Sequence, residues 1–495
     1  MTGAEWTRML GQRLSVGFYG TEVPEELKRL IREYKIGNII LFRRNVAGYA
    51  QLKKLCAELR QLIRTETGLE PYIMIDEECG SVSRLAKVAA PTPSAMAIGA
   101  TGKPENAYAI GRLIGEELRA AGINFNLAPV LDCSTRPDNP AEGNRCFAGN
   151  PEDTAAIGRA YVRGVQETGV LACGKHFPGS GDTLVDSHLD LPIIEKPAEE
   201  IEKTELVPFR AAIAEGVKGI MTAHIVFPAM EPERVPATVS RRVVTGLLRE
   251  RMGFGGIIVS DGMEMHAVMD LYGIEDGTRR ALAAGVDIAL ICHSYAQTEA
   301  TAKHLLQSVQ NGTLDPEETE IRFRHIERMK KEIAGPEGGE ESFGSAAQRA
   351  TAEQIMRAAI RLDNAPGNAP LPALDGETVL FGVPAQASSL ASDREVLEAA
   401  RFIAARYAGR FMESGAAAAS DAQTAVLFLK PQENAPAAVA AAKALLARGT
   451  KLIAVALDTP ECLKEIPDTA WKVLAWQYDE FVLPCLAEFL QMKKK

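Results

Sequence analysis

The stretch Val170-Leu-Ala-Cys-Gly-Lys-His-Phe-Pro-Gly-Ser-Gly-Asp-Thr-Leu-Val-Asp-Ser-His-Leu-Asp-Leu-Pro192 passes directly from a strand pattern into a loop crowded with reactive side chains. Residues 170–176 read as a buried strand that ends in Lys175 and His176. Beyond them Gly179 and Gly181 let the backbone approach a ligand closely, and Asp182, Asp186, His188 and Asp190 follow. Asp186, two residues before His188, is placed to orient an imidazole and tune its proton affinity. An apolar strand feeding a polar loop is the repeating element of βα architecture.

The same element recurs over most of the chain. Candidate strands at 14–19, 37–42, 72–76, 123–128, 170–176, 219–224, 256–261 and 287–292 alternate with helical patterns such as 25–34, 52–63 and 241–252. Eight such units predict an α/β fold, a (β/α)8 TIM barrel. Active sites of that architecture lie at the C-terminal ends of the strands. The polar residues fall there: Asp76 and Glu78 close the third strand, Asn126 the fourth, Lys175 and His176 the fifth, His224 the sixth and Asp261 the seventh.

After a charged helical stretch at 315–333, residues 335–344 combine turn formers with acidic residues and read as a linker. The predicted division is a barrel catalytic domain over 1–334, a linker with a helix over 335–376 and a smaller three-layer α/β sandwich domain over 377–495. In the last part, apolar runs at 378–383, 424–429, 451–457 and 472–475 alternate with Ala-rich helices such as 437–447. Asp458 and Glu461 read equally as capping residues or ligands, which leaves the domain's role open.

Composition narrows the function. With 495 residues, 46% of them hydrophobic, the chain can bury a large core. A net charge of -10, with no dense basic run before Lys493-Lys494-Lys495, argues against nucleic acid or an anionic membrane as partner. The opening ten residues place Glu5 and Arg8 where a signal peptide would be apolar, which predicts a cytoplasmic protein, with export of a chain lacking its leader as the alternative. Eight scattered cysteines, without CxxC spacing, read as reduced core thiols.

Asp261 ends the apolar run 256–259 in Val-Ser-Asp-Gly-Met-Glu-Met, where a rigidly held carboxylate suits a nucleophile for an anomeric carbon. An Asp at a strand end can equally be a helix cap. His188, oriented by Asp186, could protonate a leaving oxygen and then deprotonate water. On a polar loop it could also be a surface residue or a metal ligand.

Longer motifs bear on these alternatives. Residues 174–192 resemble the KHFPGHGDTxxDSHxxLP signature of bacterial β-N-acetylhexosaminidases of glycoside hydrolase family 3. Met74-Ile-Asp-Glu-Glu-Cys-Gly-Ser-Val-Ser-Arg-Leu85 resembles IDQEGGxVxRL, Gly143-Asn-Arg-Cys-Phe-Ala-Gly149 resembles GxRSFG, and Ser260-Asp-Gly-Met-Glu-Met265 resembles the SDxLxM nucleophile loop. The resemblance implies a retaining exo-β-N-acetylglucosaminidase, with Asp261 as nucleophile, His188 as acid/base and Asp186 as its orienting partner. It implies sugar binding by Asp76, Arg84, Arg145, Lys175 and His176. It implies no cofactor or metal, and an N-acetylglucosamine-containing oligosaccharide or muropeptide as substrate, in cell-wall recycling or chitooligosaccharide breakdown.

Three positions depart from the pattern: Ser180 replaces a usual His, Cys79 the first Gly of the EGG pair, and Glu77 a usual Gln. Three other readings stay open. A metal-dependent hydrolase could draw ligands from His176, Asp182, Asp186, His188 and His224, although no HxH or HExxH spacing occurs. A non-catalytic sugar-binding protein could retain the fold. Phosphorolysis could replace hydrolysis, because a neutral His188 would not repel an incoming phosphate as a carboxylate base would.

Overall fold

The computed structural model describes residues 1–136, 139, 142–183, 191–333, 335–336, 338–382, 399–413, 420–430 and 435–494. In chain order the first strands are β1 (Leu14–Val16), β2 (Asn38–Leu41), β3 (Tyr72–Ile75), a hairpin of β4 (Glu77–Cys79) and β5 (Val82–Ser83), and β6 (Phe125–Asn126). They are followed by β7 (Leu171–Phe177), β8 (Gly219–Thr222), β9 (Ile257–Gly262) and β10 (Ile288–Ile291). Without the hairpin, these strands close in the order β1-β10-β9-β8-β7-β6-β3-β2. Every pairing in the barrel is parallel, so the expected (β/α)8 architecture is present.

The apolar runs become strands because both faces are covered. Alternation along each strand divides the side chains between two environments. Ile40, Met74, Phe125, Cys173, Met221, Val259 and Leu290 form one buried cluster, filling the barrel's interior. Their neighbours Ile39, Ile73, Ile75, Ile220, Ile258 and Ile291 belong to the larger cluster under the helices. Helix Glu25–Tyr34 shows how that outer layer forms: acidic residues in its first turn suit the helix dipole, and Leu27, Leu30 and Ile31 make one buried face. The strand expected at 123–128 contributes only Phe125 and Asn126 to the ladder. Side chains extend the pairing there: Asn124 Oδ1 accepts from Ile73 N at 2.9 Å, and Asn126 exchanges bonds with the Glu77 backbone at 3.0 and 2.9 Å.

A second sheet comprises β11 (Arg361–Asn364), β12 (Val379–Gly382), β13 (Arg410–Glu413), β14 (Thr424–Leu429), β15 (Lys451–Ala456) and β16 (Trp471–Leu474). Its order is β11-β16-β15-β14-β12-β13, parallel except for the antiparallel edge strand β11. Strand β11 comes from the segment read as a linker. The turn after β16 docks on the barrel: Trp476 O accepts from Ser94 Oγ at 3.0 Å and Asn144 Nδ2 at 3.1 Å, and Gln477 Oε1 accepts from Ser94 N at 2.7 Å. Among the described residues, no helix is long and apolar enough to cross a membrane. All eight cysteines are free thiols, and all but Cys462 are buried.

Glu117 is a buried carboxylate outside the barrel mouth. It accepts from Ala90 N and Gly344 N, both at 2.9 Å, yet burial pushes it up to about 8. Because the folded-state value lies above the ordinary one, the favourable contribution is complete in acid. It is lost as pH rises from the ordinary carboxylate range through about 8. Glu117→Gln keeps an acceptor oxygen without the buried charge. Its Tm gain over the wild type should be larger by about 2 °C or more at about pH 9 than at about pH 5, measured by thermal melts.

Candidate active site

A cavity of about 250 Å³ opens at the C-terminal end of the barrel, lined by residues from every strand end that the sequence singled out for sugar binding and attack. Asp76, Arg84, Arg145, Lys175, His176 and Asp261 all face it. Asp186 and His188 lie outside the described residues.

Asp76 follows β3, and Lys175 lies within β7. Lys175 Nζ bridges Asp76 Oδ1 at 2.6 Å and Glu78 Oε1 at 2.7 Å. Arg145 reaches Glu78 from the 3-10 turn Gly143–Arg145 with a two-pronged contact, Nε to Oε2 at 2.9 Å and Nη2 to Oε1 at 2.8 Å. Burial alone would raise Glu78, but Arg145 and Lys175 outweigh it and hold the carboxyl well below the usual range. The same carboxylates hold Lys175 above its usual value against burial. Arg84 Nη2 meets Asp76 Oδ2 at 3.4 Å. Asp76, Glu78, Lys175 and Arg145 thus form a continuous chain of alternating charge along one wall.

The β4–β5 hairpin sets this wall. Glu77 ties it together: Oε1 accepts from Ser83 Oγ and Oε2 from Leu85 N at 3.0 Å. Cys79 adopts a φ of 120°, in the region that favours glycine, so its side chain is carried at a cost of about 1–3 kcal/mol. Two of the three departures from the motif therefore fall in one structural feature. Gly181 is required by close approach, since a Cβ there would meet Cys133 O at 1.6 Å.

The opposite wall carries Asp261 at the end of β9, where Gly262 N donates to Oδ1 at 2.7 Å and fixes the carboxylate plane. His224 is buried behind it: Nε2–H donates to Gly262 O at 3.0 Å, and Nδ1 meets Thr238 Oγ1 at 2.8 Å. The ring thus positions the backbone beside Asp261. Glu264 accepts from Cys292 N and His293 N at 2.8 Å and fastens the following loop to β10.

His176 lies under a further group that the sequence did not single out. Its Nδ1 contacts Asp132 Oδ2 at 2.7 Å, and Asp132 also accepts from the backbone N–H groups of His176 and Ser180. Burial disfavours charge on His176, but Asp132 and Glu142 raise it above its ordinary value. Asp132 ends an apolar run as Asp261 does, a signal that could have found it. Glu142 had no such signal, and Ser180 stood out only as a departure from the motif.

Among the described residues, one cluster brings carboxylate and imidazole atoms close enough for a metal, Asp132, Glu142 and His176 within 4.8 Å of one another. Its donors are already engaged with one another, and the Arg145 guanidinium lies 3.7 Å from Glu142, so a cation there would meet a cation. Of the alternative metal set, the described members Asp182 and His224 have other partners. Asp182 pairs with Lys196 at 3.4 Å, and His224 is turned to Thr238 and Gly262.

The barrel and the carboxylate-rich mouth carry the chemistry of a glycoside hydrolase, and residues 8–329 match the Glycosyl hydrolase family 3 N terminal domain. The chain belongs to glycosyl hydrolase family 3. It is 34% identical over 365 residues to the β-hexosaminidase A of Pseudoalteromonas piscicida, a match spanning 66% of this chain and 61% of that protein. It is 36% identical over 286 residues to a β-hexosaminidase of Xylella fastidiosa (strain 9a5c), spanning 57% of this chain and 83% of that one. The structure of a family 3 β-N-acetylglucosaminidase from Paenibacillus sp. str. FPU-7 superposes with a TM-score of 0.87 at 34% identity, covering 98% of this chain and 96% of the other. NagZ of Neisseria gonorrhoeae covers 70% of this chain at 30% identity, with a TM-score of 0.57.

Proposed function

We propose that this chain is a retaining exo-β-N-acetylglucosaminidase that removes terminal N-acetylglucosamine from cell-wall-derived fragments or chitooligosaccharides in the cytoplasm. The observation that carries the reading is the placement of Asp261 across one cavity from the chain of charge made by Asp76, Glu78, Lys175 and Arg145. The β-hexosaminidase relatives support the sugar.

In this reading the cation–carboxylate wall binds the ring hydroxyls and holds the anomeric carbon near Asp261. Asp261 Oδ attacks that carbon while the glycosidic C–O bond breaks, and His188 gives its proton to the leaving oxygen. The covalent glycosyl-enzyme is then opened by water, whose proton returns to His188 as the C–O bond to Asp261 breaks. Two inversions leave the β configuration. Asp186 orients His188, and no metal has a step.

The test is cleavage of p-nitrophenyl N-acetyl-β-D-glucosaminide followed by proton NMR. β-N-acetylglucosamine should form first and then mutarotate, with the rate unchanged by exhaustive chelation. The α anomer as first product would rule out the double displacement. Sugar-1-phosphate as the product in phosphate buffer would replace hydrolysis by phosphorolysis.

A further inference from the structure

Glu142 takes no part in the reaction outlined above, yet it is 3% exposed and sits at the junction of the site's charges. Its Oε1 accepts from Ser180 Oγ at 2.5 Å and lies 3.6 Å from His176 Nδ1, while its Oε2 lies 3.7 Å from Arg145 Nη1. Cys146 Sγ lies 3.9 Å from Oε2. A single Glu is thus wedged between two cationic side chains that both line the sugar pocket.

Arg145 Nη2 lies 3.5 Å from His176 Nε2, a contact in which a neutral ring accepts from the guanidinium and a protonated ring is repelled by it. Asp132 opposes that repulsion from the Nδ1 side, but its oxygens also serve the backbone N–H groups of His176 and Ser180. Glu142 supplies the second negative charge. On this side of the pocket the carboxylates Asp76, Glu78, Asp132 and Glu142 face the cations Arg84, Arg145 and Lys175 and the His176 imidazole, while Asp261 and Glu264 add further negative charge to the lining.

We propose that Glu142 is a positioning residue of the sugar site, holding His176 as an imidazolium between two carboxylates so that its Nε2–H donates to a sugar hydroxyl. This rests on the proposed sugar site. Asp132 fixes the ring's plane, and Glu142 fixes its charge against Arg145. Burial and the neighbouring Asp132 raise Glu142, so the group takes up a further proton on its acid side and loses the imidazolium proton on its alkaline side.

The experiment is the imidazole NMR titration of His176, assigned by its absence in His176→Asn, in the full chain. In Glu142→Gln, which keeps an acceptor for Ser180 without the charge, the His176 midpoint should fall by about one pH unit or more. The alkaline limb of kcat/KM on the aryl N-acetylglucosaminide should move down with it, with KM rising more than kcat falls. Glu142→Asp, which keeps the charge, should hold both near the wild type. An unchanged His176 midpoint in Glu142→Gln overturns the proposal, as does a shift of equal size in Glu142→Asp. If Glu142→Gln does not fold, Ser180→Ala removes the donor at 2.5 Å and should move the acid limb upward; an unmoved limb is equally fatal. Should the wild type not cleave the aryl glycoside, the proposed function fails while the titration still decides the role of Glu142.

Discussion

Asp261→Ala is expected to lower kcat on the aryl N-acetyl-β-glucosaminide on the order of 10⁴-fold or more, with little change in fold. The carboxylate closes an apolar strand and accepts from the adjacent Gly262 N–H. Truncation removes the proposed nucleophile at a position that is only partly buried, and Tm should stay close to the wild type. The space left beside the anomeric carbon is then open to a small anion. Azide should restore cleavage of the activated glycoside and give the α-glycosyl azide, because one displacement inverts where two retain. A variant with the wild-type rate, or an azide product of β configuration, would remove Asp261 from the nucleophile's role.

The barrel was legible because parallel strands covered on both faces must be apolar along their length, and their polar ends then stand out. Asp76, Lys175 and Asp261 were found in that way, while Arg84 and Arg145 came from longer motifs, since a lone Arg in a loop carries no period. The chain's edge strands gave no such signal. Arg361–Asn364 is mostly exposed and Arg410–Glu413 only partly buried, so neither shows an apolar run. The hairpin at Glu77–Cys79 and Val82–Ser83 was equally illegible, because Glu77 and the left-handed backbone of Cys79 create it through tertiary contacts. Glu142 is the extreme case. Its meaning lies in distances to Ser180, His176 and Arg145 that no spacing in the sequence encodes.

Glu78→Ala should be more damaging to the whole protein than Asp261→Ala, and the contrast separates a supporting carboxylate from a reacting one. Glu78 is 5% exposed and accepts the two-pronged contact from Arg145 together with the ammonium of Lys175. Its removal leaves Lys175 with Asp76 and Arg145 with the more distant Glu142, two buried cations short of one charge. Breaking a buried pair in this way costs about 3–5 kcal/mol. Part of that loss appears as a lower Tm, and part as displacement of the two side chains from the sugar, with kcat/KM falling about 10²-fold or more. The native carboxyl is held well below the usual range, so its contribution is complete at neutral pH and lost only as pH falls far into acid. The Tm deficit of Glu78→Ala should accordingly be constant through neutral pH and shrink in strong acid. A deficit that grew toward acid, or a variant with wild-type kcat/KM, would show that Arg145 and Lys175 do not depend on Glu78 for their place against the substrate.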